Sequence, residues 1–172
     1  GKEVKLERAL EEARKLFSSV QRSSVAFVLS ARHSQEDNLA AFELAELFGS
    51  RSVYLSGAES GYSDDILIHA DKNANSNGIR NLAPEARGFS ELLADIRASK
   101  VTHVIALGSA TPTHNPEDAT ALGMLSSLVV VAAHTGPLAS AANVLLPACS
   151  WIEASGTFVN ANGLHQLADR GL

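Results

Sequence analysis

Apolar residues recur at helical spacing over residues 3–20, at Leu6, Leu10, Ala13, Leu16 or Phe17, and Val20. This spacing predicts an amphipathic helix whose other face, with Glu7, Glu11 and Glu12 against Arg8, Arg14 and Lys15, is solvated. Residues 24–30, SVAFVLS, form a compact β-rich run and read as the first core strand. After the tight exit Ala31-Arg32-His33, Ser34 with Asp37 three residues on signals a helix start, and Gly49 caps a helix running through Phe48. Residues 52–55 give a second strand, and strand–helix–strand at this spacing is the rhythm of a parallel sheet. Farther along, residues 90–98 predict a helix with Leu92, Leu93 and Ile96 inward, and residues 101–107 a buried strand. Residues 128–133 are wholly apolar, which places that strand at the centre of the sheet. Residues 143–146 read as a buried strand halted by Pro147, which has no N–H for a ladder.

Between these regular stretches the pattern breaks down twice. Residues 56–89 are rich in Gly, Ser, Asn and Asp, with one apolar island, Ile66-Leu67-Ile68. The string from Asp71 to Gly78 is expected to cap its own backbone in turns and to build no core element, so the region reads as a solvated Ω-like loop. At the other end, a turn at Ser150-Trp151-Ile152-Glu153 precedes two very short strands, residues 156–160 and 162–166. Asn160-Ala161-Asn162-Gly163 between them is hairpin chemistry, because Asn-Gly tolerates positive φ. Trp151 is expected to pack under the hairpin, Cys149 to be buried, and Glu153 to bond the backbone of residues 156–160. The fold class that follows is α/β: a doubly wound, mainly parallel sheet of about five strands, helices on both faces, and a small C-terminal β-hairpin.

Composition narrows the function classes. A chain of 172 residues with net charge −5 is one domain on length, and it lacks the clustered Lys and Arg of a nucleic-acid or anionic-membrane surface. No apolar run reaches the ~18 residues of a membrane span, and the charged helical start is no signal peptide. Cys149 is the single cysteine, too few for a disulfide or an iron–sulfur cluster, so a reducing cytoplasmic setting is expected. The histidines (His33, His69, His103, His114, His134, His165) show no metal-ligand spacing. No catalytic residue and no metal ligand is nominated.

The literal string of residues 141–166, AANVLLPACSWIEASGTFVNANGLHQ, adds a resemblance. It is similar to the signature of the molybdopterin oxidoreductase superfamily, an "ADVVLPAA" strand followed by "E..GTFTN.EGR.Q". Ala142, Val144, Leu146, Pro147, Ala148, Glu153, Gly156, Thr157, Phe158, Asn160, Gly163 and Gln166 carry the match. Asn143 stands for the usual Asp, and Leu164-His165 for an Arg and a small residue. The string from Asn73 to Gly78, followed by Leu82-Ala83-Pro84, resembles the family's loop against the pterin, with Asn81 near the usual Asp and Ala83 for a Gly. The resemblance implies that a retained pterin dinucleotide would lie against Gly108, Ser109, Thr111, Thr113, Asn115, Thr135 and Gly136, at the carboxyl ends of strands. The region 108–118 matches the family's "G.NP" loop only in outline, and no acidic residue follows Ala133.

Within the superfamily, the chain most resembles the large iron–sulfur subunit of bacterial NADH:quinone oxidoreductase, also through its "DKNAN" segment at Asp71. That likeness implies a fragment of a longer subunit, a structural and interaction domain without a redox centre of its own. Iron–sulfur clusters would lie elsewhere in the parent. The partners would be the rest of its subunit and other subunits of a respiratory complex, peripheral to the inner membrane on its cytoplasmic side. The alternative is a molybdopterin guanine dinucleotide-binding domain of a formate-dehydrogenase-like or nitrate-reductase-like enzyme. A third reading is an unrelated nucleotide-binding domain with the same sheet.

Overall fold

The computed structural model describes residues 1–112 and 115–171. The charged amphipathic start forms α1 (Leu6–Phe17), and a short 3₁₀ turn (Arg22–Ser24) leads into β1 (Val25–Ser30). Helix α2 (Gln35–Phe48) starts as its sequence predicts, with the Ser34 hydroxyl accepting from the Asp37 amide at 3.1 Å. It ends at Gly49, whose φ of 69° is the left-handed cap geometry. Then follow β2 (Ser52–Ser56), α3 (Ser76–Leu82), β3 (Arg87–Gly88), α4 (Phe89–Arg97) and β4 (His103–Leu107). The chain continues through α5 (Pro116–Leu122), β5 (Ser127–Ala132), α6 (Pro137–Ala141) and β6 (Val144–Pro147) to β7 (Gly156–Val159) and β8 (His165–Ala168).

The sheet has six strands in the order β3-β2-β1-β4-β5-β6, each pair parallel, and β7 and β8 form a separate antiparallel hairpin. The doubly wound architecture and the C-terminal hairpin are therefore as the pattern predicts. Alternation along the central strands divides the core in two. Ala26 and Val28 of β1, Val104 and Ala106 of β4, and Leu128 and Val130 of β5 pack against α4, α5 and α6 through Leu92, Ile96, Leu122 and Leu138. Val25, Phe27 and Leu29 point the other way, toward Phe17 of α1, Ala45 of α2 and Ile79 of α3. Among the described residues, no helix is long and apolar enough to cross a membrane.

Three expectations change. The centre of the sheet is the β1–β4 pair, with every residue of β1 buried, while β5 stands next to the edge. The strand before Pro147 is the edge itself: its burial alternates and Leu145 is half exposed, so its apolar run marks a one-sided strand. The polar stretch after β2 does build core. Asn75 and Ser76 are buried, and α3 places Ile79 fully inside. Asp71 and Ser76 bond within the turn as expected, whereas Asn75 and Asn77 satisfy partners far away in the chain.

A buried polar tie secures the β3 edge. The Tyr54 hydroxyl donates to Asp95 Oδ2 at 2.7 Å, and Arg87 pairs with the same oxygen at 2.6 Å, contacts the Tyr54 hydroxyl and lies 4.4 Å over its ring. The Tyr54 bond, aided by Arg87, holds the Asp95 carboxyl below its usual range against the opposing effect of burial. Burial and the Asp95 bond push the Tyr54 phenol up. A depressed carboxylate stabilises the fold above its unfolded value of about 3.9, and that contribution is lost as pH falls through the lower folded value. Asp95→Asn should therefore cost about 1–2 kcal/mol at neutral pH and flatten the decline of stability in acid. Urea unfolding at pH 7 and pH 3 checks this; an unchanged pH dependence would contradict it.

Candidate functional site at the carboxyl edge

In a doubly wound sheet the crevice opens where successive connections leave toward opposite faces. Here that point lies between β1 and β4: α2 covers one face after β1, and α5 the other after β4. Two loops meet there, residues 31–34 and the segment beginning at Gly108. Gly108 takes φ 73°, a conformation that glycine adopts without strain, and its amide donates to Val131 O at 2.8 Å. A β-carbon at Gly108 would stand 3.1 Å from Cε1 of His33 and 3.2 Å from the Ser30 hydroxyl, so His33 fills the mouth of the crevice. Its Nδ1 is buried without a partner among the described residues, and burial holds its pKa below the usual value despite the opposing charge of Asp37.

Among the described candidate cofactor residues, Ser109 and Gly136 are brought together, while Asn115 and Thr135 lie exposed apart from them. Ser109 is buried, with its carbonyl accepting from Leu138 N at 3.1 Å and its hydroxyl from Ala139 N at 3.2 Å. Gly136 lies directly on it; a β-carbon there would come within 2.6 Å of the Ser109 hydroxyl. Thr111 is buried beyond it, and the Ser56 hydroxyl ties the loop to the end of β2 by donating to Ala110 O at 2.8 Å. Asn115 is exposed and accepts from Glu117 N at 3.0 Å, capping α5. Thr135 is exposed in a separate recess of about 420 Å³, which it shares with Val4, Leu145 and Pro147. Thr113 lies outside the described residues.

What occupies the carboxyl edge beside β1 is the C-terminal hairpin. Gly156 sits on Ser34, where a β-carbon would stand 2.4 Å from the Ser34 β-carbon. Thr157 N donates to Glu36 Oε2 at 2.8 Å, a bond that holds the Glu36 carboxyl below its usual range. Val159 N donates to Asn75 Oδ1 at 2.9 Å, and Asn77 Nδ2 reaches the carbonyls of Asn160 and Ala161 at 2.8 and 2.9 Å. Beneath the hairpin, fully buried Asn38 accepts from Ser30 N and donates to the carbonyls of Ser30, His33 and Ser34. Asn75 Nδ2 adds a bond to His33 O at 2.9 Å, so one network joins the β1–α2 corner, the start of α3 and β7.

Sequence reasoning missed Asn38 and Glu36, and it set Asn75 and Asn77 in a loop resembling the pterin contact, whereas they bond the hairpin. A signal existed for Asn38, a weak helix former one turn inside α2 just after a core strand. The hairpin forms where predicted, with Gly163 at φ 79° and Asn160 Oδ1 accepting from the amides of Asn162 and Leu164, but its second strand begins at His165 rather than at Asn162. Its surroundings also differ. Trp151 is 82% exposed rather than packed under the hairpin, and Cys149 is exposed rather than buried. Glu153 accepts from the Ser150 amide and hydroxyl, closing its own turn instead of reaching residues 156–160. Among the described residues, no group of three or more His, Cys, Asp or Glu could hold a metal ion.

A six-stranded parallel sheet wound on both faces, with polar loops gathered at the switch between β1 and β4, defines a doubly wound α/β domain. The sequence model of the molybdopterin oxidoreductase family matches residues 26–172, from β1 through the hairpin, and the chain belongs to that family. No curated protein matches it significantly.

Proposed function

We propose that this domain is a structural and interaction module of the large iron–sulfur subunit of a bacterial NADH:quinone oxidoreductase, with the redox centres of the parent elsewhere. The single observation that carries the scaffold reading is the hydrogen-bonding state of the carboxyl edge. The Ser109 hydroxyl and carbonyl hold α6, the Asn115 carboxamide caps α5, and the Ser56 hydroxyl holds Ala110. His33 fills the space against Gly108, and Ala133-His134-Thr135 supplies no carboxylate for a ribose at the end of β5. Each of these groups commits part of its hydrogen-bonding capacity to the protein itself, leaving less of it for a phosphate or sugar. This internal use of the strand ends supports the scaffold reading, and no reaction step is assigned to this domain.

The choice of this respiratory parent rests on the resemblance of residues 71–75 and 141–166 to its large iron–sulfur subunit. A second reading, a molybdopterin guanine dinucleotide-binding domain of a formate-dehydrogenase-like or nitrate-reductase-like enzyme, is favoured by the family match itself and by the position of Gly108 at the switch point. One assay separates the two. The intact parent protein is denatured and its extract analysed for molybdenum and for the fluorescent oxidised pterin. Neither should be present in stoichiometric amount; one pterin per chain would overturn the scaffold reading and support the second.

A further inference from the structure

The apolar island after β2 stands on a loop that is stapled at every level. At its base, Asn73 accepts from Ala58 N at 2.6 Å and donates to Ala58 O at 2.9 Å. One step out, Gly61 N donates to Ala70 O at 2.9 Å, while Lys72 Nζ grips the carbonyls of Tyr62 and His69. At the tip, Asp64 Oδ1 accepts from three consecutive amides, those of Ile66, Leu67 and Ile68, and Asp64 N donates to Ile68 O. Those three bonds hold the Asp64 carboxyl below its usual range.

This framework holds two aliphatic side chains out of the protein. Ile66 is 93% exposed and Leu67 88%, with Tyr62 also largely exposed on the same loop. A backbone already held by hydrogen bonds loses little further freedom in a complex, so only the side-chain rotamers of Ile66 and Leu67 remain to be ordered, which is the usual advantage of a preorganised binding element. Charge then selects the partner. Residues 58–72 carry four carboxylates (Glu59, Asp64, Asp65 and Asp71) against one lysine, Lys72. An anionic lipid surface would repel such a loop, whereas a protein pocket with a cationic rim would attract it.

We propose that residues 61–70 form a rigid docking knob, inserting Ile66 and Leu67 into an apolar pocket rimmed by Lys or Arg on a protein partner. This inference stands on the loop alone and does not depend on which oxidoreductase the parent is. The test places a diazirine analogue of leucine at position 66 or 67 of the full-length protein in its own cells, with Leu47, an exposed position on α2, as control. Tandem mass spectrometry should place adducts from both tip positions on one polypeptide segment that combines apolar residues with Lys or Arg, and the control should give none there. Asp64→Ala should raise hydrogen exchange at the amides of residues 66–68 and lower the adduct yield about tenfold, equivalent to about 1.4 kcal/mol. Adducts only on lipid, on a segment without cations, or identical to those of the control would overturn the proposal. So would a yield unaffected by Asp64→Ala.

Discussion

Asn38→Ala should lower the stability of the domain by about 3–4 kcal/mol, the largest single-residue effect in the polar framework. The side chain is completely buried and makes four hydrogen bonds across the corner where β1 turns into α2. Alanine would leave the Ser30 amide buried without an acceptor and remove the two N–H donors that the carbonyls of Ser30, His33 and Ser34 share. No helix-propensity gain of Ala over Asn, worth roughly 0.5 kcal/mol, offsets that loss. For a chain of this size the thermal midpoint should fall by roughly 6–16 °C. Calorimetry on the purified domain checks the result, and a drop of only about 2 °C would show that water replaces the lost partners.

Gly156→Val should expel the hairpin from its seat. The new β-carbon would stand 2.4 Å from the Ser34 β-carbon and 2.9 Å from both the Ser34 hydroxyl and Glu36 Oε2. Ser34 cannot yield cheaply, because it is buried and caps α2, and a displaced Glu36 carboxylate would give up the Thr157 amide. The expected cost is about 2–3 kcal/mol, the usual range for overpacking with the loss of a cap. Hydrogen exchange should show where it falls: the amides of Thr157 and Val159 should lose protection, while those of β1 and β4 keep theirs. Uniform loss across the sheet would instead mean that hairpin and sheet unfold as one unit. Full retention would mean that the close approach is relieved by a small shift.

The role of Asn38 and the seat of Gly156 on Ser34 lie on the far side of a line between what was legible in the sequence and what was not. Elements that depend on local chemistry could be read directly. Ser34 and Gly49 bracket α2 because a hydroxyl cap and a left-handed glycine act within a few residues of themselves. Leu92, Leu93 and Ile96 face inward because helical spacing leaves them no other choice. Polar side chains whose partners are remote could not be read. Asn75 looks like any turn asparagine until Val159, 84 positions later, is placed against it. Trp151 and Cys149 look like core residues by type, yet both lie on the exposed connection to the hairpin. Ser109 and Asn115 fall between these cases: their address after a strand was legible, and their bonds to the starts of α6 and α5 were not.

The pairing of β1 with β4 carries a consequence for synthesis. Val25–Val28 find their partners at His103–Ala106, so one side of the most buried strand has no ladder until residues beyond 100 have been made. Contacts so distant along the chain slow the search for the native arrangement, and the nascent Val-Ala-Phe-Val-Leu segment stays sticky while it waits. Cellular maturation of the domain should therefore lean on holdase chaperones until β4 emerges from the ribosome.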